Sequence, residues 1–395
     1  MNSALNVNKQ YGVVLEGGGA KGAYQIGVLQ ALKDTNINIK AIVGTSVGAL
    51  NGALMVQNDL EEATRIWKNI KYSHVVDVED KILEKISKFD FKDLDFKRIF
   101  NKFMQFIKDR GVDITPLKNL IAETIDEEKI RNSKTKFGLV TVSLSDRKPL
   151  ELYIEDIEDG KLHDFLLASS YLPVFKNEKL HGKTYLDGGF YNNSPISMLI
   201  DKGYKDIIVI KINGIGFDKK ADLEGINVFE ISPSENLGGI LEFDTEKTNY
   251  NINLGYFDTI RRLKELKGKY YYISINNNEE YFMYKILNMN YNNKMKYYNF
   301  FNLKNKSINR AMFEDVIPRL SRKLGMKDNW NYTDFIIEVI EYFAKKLQIP
   351  KFKIYSYDEF IIILRNKIRK AKLDLKEDKI FLNLLEDLVF TTNLI

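Results

Sequence analysis

Cysteine is absent from the 395-residue sequence, which excludes disulfides, thiolate metal centres and cysteine nucleophiles. The absence assigns no compartment, because disulfide-free chains occur on both sides of a membrane. Histidine is scarce: His74, His163 and His181 are the three. A membrane-spanning apolar run is missing too; the longest candidate, Ala41–Val56, holds Thr45, Ser46 and Asn51. The opening residues, MNSALNVNKQYG, lack the basic-then-apolar layout of a secretory signal. The expectation is a cytoplasmic or peripheral-membrane protein, with export by signal-free routes left open. The net charge of +5 favours anionic membrane surfaces slightly and is too diffuse for a nucleic-acid partner, so no nucleic acid is expected.

What is present is 44% hydrophobic and 29% charged residues, the balance of a globular chain long enough for two domains. Residues 11–56 alternate strand and helix signals: YGVVLE, then AYQIGVLQALKD at helical spacing, then IKAIVG, then VGALNGALMV. Successive strand–helix units predict an α/β fold of three layers, with helices on both faces of a mostly parallel sheet. The charge-laced stretch over 72–133 reads as a helical insertion or cap, its apolar faces (FNKFMQFI) being ordinary packing, an acyl groove or a bilayer contact. FGLVTVSLSD and LELYIE restore strand signals as a hairpin, LHDFLLASSYL reads as a helix stopped at Pro173, and GKTYLDGGF as a strand ending in a turn. A helix follows, with Ser194 as its N-cap and Pro195 at its first position, and KDIIVIKI is a core strand. Residues 1–270 are read as this α/β domain and 271–395 as a mainly helical domain of unknown role. The Tyr/Asn/Lys-rich stretch 270–304 reads as a sheet or linker surface.

Three motifs carry chemistry. Gly44-Thr45-Ser46-Val47-Gly48 joins an apolar strand to a small-residue helix, the context of a nucleophile elbow. There a serine hydroxyl meets the N-terminus of a helix, which favours negative charge. Gly17-Gly18-Gly19 also lies between a strand and a helix, so its backbone N–H groups suit an oxyanion hole. Its rival reading is a dinucleotide loop, Gly17-x-Gly19-x-x-Gly22, which expects an acidic residue to close the second strand; the Gly-x-Ser-x-Gly turn stands there instead. The third motif is Asp187-Gly188-Gly189, an aspartate at a strand end whose glycines let it approach a neighbouring turn.

A triad in the order Ser, Asp, His needs a histidine after the acid, and none follows Asp187. His163 and His181 could serve only with an earlier acid, so if Ser46 is a nucleophile a carboxylate is favoured as its base. Together, GGGAKG, GTSVG and DGG in this order resemble the signature of the patatin-like phospholipases, lipid acyl hydrolases with a Ser-Asp dyad. The resemblance covers roughly residues 10–260. It implies Ser46 as nucleophile, Asp187 as general base and Gly17–Gly19 as oxyanion donors, with Gly22, Gly44, Gly48, Gly188 and Gly189 as motif glycines. It also implies a structural turn at Asn193 and Pro195, and a phospholipid, lysophospholipid or other acyl ester as substrate, with peripheral membrane contact. No cofactor or metal is needed for such a dyad, and EDIEDG fails the calcium-loop pattern at Ile157. Two alternatives stay open: a nucleotide-binding protein using the glycine loop, and a catalytically silent scaffold.

Overall fold

A computed structural model describes residues 5–75, 113–172, 175–176, 178–327, 329–370 and 378–390. The chain divides into two compact units, Met1–Leu263 and Lys264–Ile395. In the first, β1 (Gln10–Leu15), α1 (Ala23–Asp34), β2 (Asn38–Thr45) and α2 (Val47–Val56) follow the predicted alternation. Helix α3 (Leu60–Asn69) comes next, capped by the Asp59 carboxylate on the Glu62 N–H. The expected insertion over 72–133 falls largely outside the described residues; within it, α4 (Thr115–Thr124) and α5 (Glu127–Arg131) are helices. Then come β3 (Lys136–Ser143), β4 (Lys148–Tyr153), α6 (Leu162–Ser169), β5 (Tyr185–Asp187), α7 (Ile196–Asp201), β6 (Asp206–Ile210), β7 (Asn227–Ile231) and α8 (Thr245–Leu263). Pro173, expected to stop α6, lies outside the described residues.

The strand order is β4-β3-β2-β1-β6-β7, with β5 paired to β3. All pairs are parallel except β3–β4 and β3–β5. Strand alternation sends Val14, Val43, Val140, Ile207 and Val209 to one face, where Met198 and Leu199 of α7 cover them. Leu15, Ile42 and Phe137 face the other way, against α2 at Gly52. The order reverses between β1 and β6, so the loop leaving β1, the glycine triplet, opens onto the switch-point crevice of an open α/β sheet.

The ladder of β3 places the site. Along one edge β3 pairs throughout with β4, from Gly138 to Ser143. Its other edge is shared: β2 runs up to Thr45↔Val140, and β5 takes over at Thr141↔Asp187. Two strands thus meet end to end on one edge, and Ser46 and Asp187 stand at the junction.

One sequence expectation is corrected here. The helix α7 begins at Ile196 with Pro195 in the cap position, and no side-chain cap is made. The Ser194 hydroxyl accepts a hydrogen bond from Lys211 Nζ instead.

In the second unit, β8 (Tyr272–Ser274) pairs in parallel with β9 (Ile354–Ser356). Among the described residues the remaining elements are helices, including Glu279–Leu287, Tyr291–Phe300, Tyr332–Lys346 and Tyr357–Lys370 around a core with Phe335, Ile340, Phe343 and Phe360. The 270–304 stretch is therefore mostly two short helices rather than sheet or linker surface: Asn278 and Asn290 cap their N-termini, so the asparagine-rich composition initiates helices there.

Candidate active site

Ser46 occupies the turn between β2 and α2 at φ 55°, ψ −126°, a conformation that L-residues rarely adopt. Neighbouring glycines make that turn sterically feasible. A Cβ on Gly44 would stand 2.4 Å from the Gly48 carbonyl carbon, and one on Gly48 would stand 2.2 Å from the Leu15 carbonyl oxygen. Gly48→Ala should therefore destabilise the chain by about 3 kcal/mol or more, since only backbone could yield. Denaturant unfolding checks this; a variant as stable as wild type would contradict the geometry.

The strained turn is anchored from behind. The Ser46 N–H donates to Ser169 Oγ at 2.9 Å, and that hydroxyl donates to the Val140 carbonyl at 2.7 Å. Thr45 Oγ1 donates to the Asn192 carbonyl at 2.7 Å, tying the elbow to the loop that follows Asp187. Asn193 then ties this loop to the glycine triplet in both directions. Its Nδ2 donates to the Gly17 carbonyl at 3.1 Å, and the Gly17 N–H donates to the Asn193 carbonyl at 3.2 Å.

That last bond corrects the sequence reading of Gly17 as an oxyanion donor, because its N–H is already spent. A Cβ at Gly17 would lie 2.4 Å from Asn193 Oδ1 and 3.3 Å from Ser46 Cβ, so the residue supplies space. Among the described residues no protein acceptor takes the N–H of Gly18 or Gly19. The Val47 N–H at the start of α2 is equally unspent. Gly22 is filled round by Val47, Trp67 and Asn51, and Gly188 by the Val140 carbonyl, so both serve close packing.

Asp187 is 3% exposed. Its Oδ1 accepts the Gly189 N–H at 2.7 Å, while Oδ2 is buried with no hydrogen-bond partner. Desolvation pushes the carboxyl up to about 6, against opposing pulls from the Ser46 hydroxyl and the Gly189 N–H. The Ser46 hydroxyl is thus near enough to act on the carboxyl. An acceptor desolvated beside a serine is a stronger base than a solvated aspartate. If Asp187 is the base, kcat/KM should fall tenfold per pH unit below about pH 6 and level off above it. A profile falling only below pH 4 would contradict a desolvated base.

Ser46 sits where two cavities meet. One is lined by Gly18, Gly19, Asp187, Gly189 and Asn193 with Phe190, Ile215 and Ile240. The other is almost wholly apolar, walled by Leu50 and Leu54 of α2, Trp67 of α3, and Leu117 and Ile121 of α4. None of the three histidines lines either cavity. His163 contacts the Ile125 carbonyl, His181 pairs with Asp164, and His74 accepts the Lys71 N–H. Lys21 points away to the Asn213 carbonyl. Among the described residues no cluster of metal-binding side chains occurs, and no helix is long and apolar enough to cross a membrane.

Sequence reasoning missed Ser169, Val47 and the latch role of Asn193. The pair of serines in LLASSYL was the available signal for the first; nothing in the sequence separates Ser169 from Ser170.

Residues 13–200 match the family model described as patatin-like phospholipase. The chain is 25% identical over 210 residues to patatin-like phospholipase domain-containing protein 7 of Mus musculus, covering 51% of this chain and 13% of that protein. It is 26% identical over 214 residues to lysophospholipase NTE1 of Cryptococcus neoformans var. neoformans, covering 52% of this chain and 11% of that protein. The match thus spans only about an eighth of these relatives' length. Among solved structures, VipD from Legionella pneumophila aligns over 98% of this chain and 85% of that one, with 12% identity and a TM-score of 0.40. The resemblance read from the three motifs is thereby borne out over residues 13–200, the segment that matches the patatin-like phospholipase family.

Proposed function

We propose that the first unit hydrolyses fatty-acyl esters of lipids, as a phospholipase A or lysophospholipase, through a Ser46–Asp187 dyad. The observation that carries this reading is a strained serine at the mouth of an apolar cavity, beside a buried, half-satisfied carboxylate that lines the adjoining smaller cavity. The acyl chain occupies that cavity, where burial contributes about 0.8 kcal/mol per methylene, and the carbonyl carbon comes to rest at Ser46. Asp187 Oδ2 takes the Ser46 proton as Oγ attacks. The N–H groups of Gly18 and Gly19, with that of Val47, receive the charge of the tetrahedral oxygen. Collapse expels the alcohol, which takes up the proton, and leaves an acyl-serine. Asp187 then deprotonates water for the second half-reaction.

The match to the patatin-like family and the names of the relatives support this reading at the level of lipid acyl hydrolysis. The test is release of free fatty acid from vesicles of mixed phospholipid and lysophospholipid. Release by folded wild type is expected; none from these lipids or from simple acyl esters would sink the proposal. The dinucleotide reading of the glycine loop is not favoured: β2 ends in the serine turn, and Gly18 and Gly19 border a cavity shared with Ser46.

A further inference from the structure

We propose that Glu16 and Lys211 act as a positioning pair that seats the Gly18–Gly19 donors beside Ser46; this rests on the hydrolase reading above. Glu16 separates β1 from the glycine triplet, a loop position where a carboxylate is ordinarily solvated. Here it is 5% exposed. It lines neither cavity, so it does not touch substrate. A buried acid in a catalytic loop that meets no ligand calls for a reason, because keeping it there opposes folding.

Its contacts supply one. The Glu16 carboxylate accepts the Ile212 N–H and lies 3.6 Å from Lys211 Nζ. Its backbone N–H donates to the Ile210 carbonyl at 3.3 Å, and its own carbonyl accepts Gln25 Nε2 at 2.6 Å. One residue therefore fastens the end of β1 to the segment leaving β6. That segment is the seat of the glycine loop. A Cβ on Gly214 would stand 1.8 Å from the Gly17 carbonyl oxygen, and one on Gly18 would stand 2.7 Å from Ile212 Cδ1. Residues 212–214 cannot shift without moving Gly17 and Gly18.

Lys211 extends the fastening to the acid's side. Its Nζ donates to Ser194 Oγ at 2.8 Å and to Asp218 at 2.7 Å. Ser194 follows Asn193, the latch on Gly17. The pair thus joins the oxyanion loop, the exit of β6 and the loop after Asp187 in one polar strut. Burial raises the Glu16 carboxyl, and Lys211 pulls it back toward the charged form that holds the Ile212 N–H.

The experiment uses the full chain as Glu16→Gln, Lys211→Met and the double variant. It measures kcat and KM on a short soluble acyl ester, affinity for an acyl trifluoromethyl ketone, and thermal melting. The ketone reports on the donors because Ser46 Oγ adds to its carbonyl and leaves a charged oxygen in the oxyanion position. Glu16→Gln should lower kcat about 100-fold with KM within about twofold, and weaken the ketone by a similar factor. Lys211→Met should lower kcat about 10-fold, and the double variant should be no worse than Glu16→Gln alone. Wild-type kcat and ketone affinity in folded Glu16→Gln would overturn the pair, as would a change confined to KM. If Glu16→Gln does not fold, Lys211→Met decides by the same criteria. A wild type that neither turns over ester nor binds the ketone overturns the hydrolase reading and the pair with it. An active wild type with unaffected variants overturns the pair alone.

Discussion

Ser46→Ala should lower fatty-acid release by at least about 10⁴-fold if Ser46 and Asp187 form the proposed dyad, because such a dyad works as a unit and would lose its nucleophile outright. The fold should survive, since the substitution removes one oxygen at a cavity mouth and leaves the turn's glycines and the Ser169 anchor untouched. Alanine inherits the positive φ of 55° and its strain; glycine does not. Ser46→Gly should accordingly be just as inactive yet more stable than Ser46→Ala, by about 1 kcal/mol. Vesicle assays and denaturant melts on the same three proteins read both effects. Retained hydrolysis in either variant would remove Ser46 from the chemistry.

Asp187→Asn should lower kcat by about 10³-fold and at the same time stabilise the protein at neutral pH. The sign of the second effect follows from the carboxyl, which sits at about 6 in the folded chain against an ordinary value of 3.8. The folded state holds this proton more tightly than the unfolded chain does. Well below pH 3.8 the group is neutral in both states and costs nothing. As pH rises from 4 to 6 the unfolded chain ionises freely while the folded one ionises against desolvation, so stability falls and stays lower above pH 6. The amide keeps the Oδ1 bond to Gly189 and carries no charge. It should raise stability by about 1–3 kcal/mol at pH 7–8, with the gain shrinking toward pH 4. Melts at pH 4 and pH 7.5 decide: an equal difference at both would mean the carboxylate is not desolvated.

The sequence made the early sheet legible because each signal there was local and unopposed. AYQIGVLQALKD and VGALNGALMV match α1 and α2 end to end, and DIIVI is the buried strand β6. The serine turn was legible for the same reason: Gly44 is required by the backbone of Gly48 within the same motif, although Gly48 itself answers to the distant Leu15 carbonyl. What the sequence could not yield were the contacts across long separations. Nothing local shows that the Gly17 N–H is consumed by Asn193, 176 residues away. Nor does it show that Ser194 serves Lys211 rather than capping a helix. The 270–304 stretch misled by composition: Tyr and Asn favour strands and turns on average, but here the asparagines fall at helix starts.

The shared edge of β3 also sets which parts of the gene can change length. Serine and aspartate are held in register by consecutive residues, Val140 and Thr141, of one strand. A single codon gained or lost within 136–143 would slide one partner past the other and turn alternate side chains to the wrong face. The loop 178–184, by contrast, precedes β5 at the end away from Asp187, so its length is free of the dyad's spacing. Related chains that share this edge should tolerate insertions there and almost none inside β3.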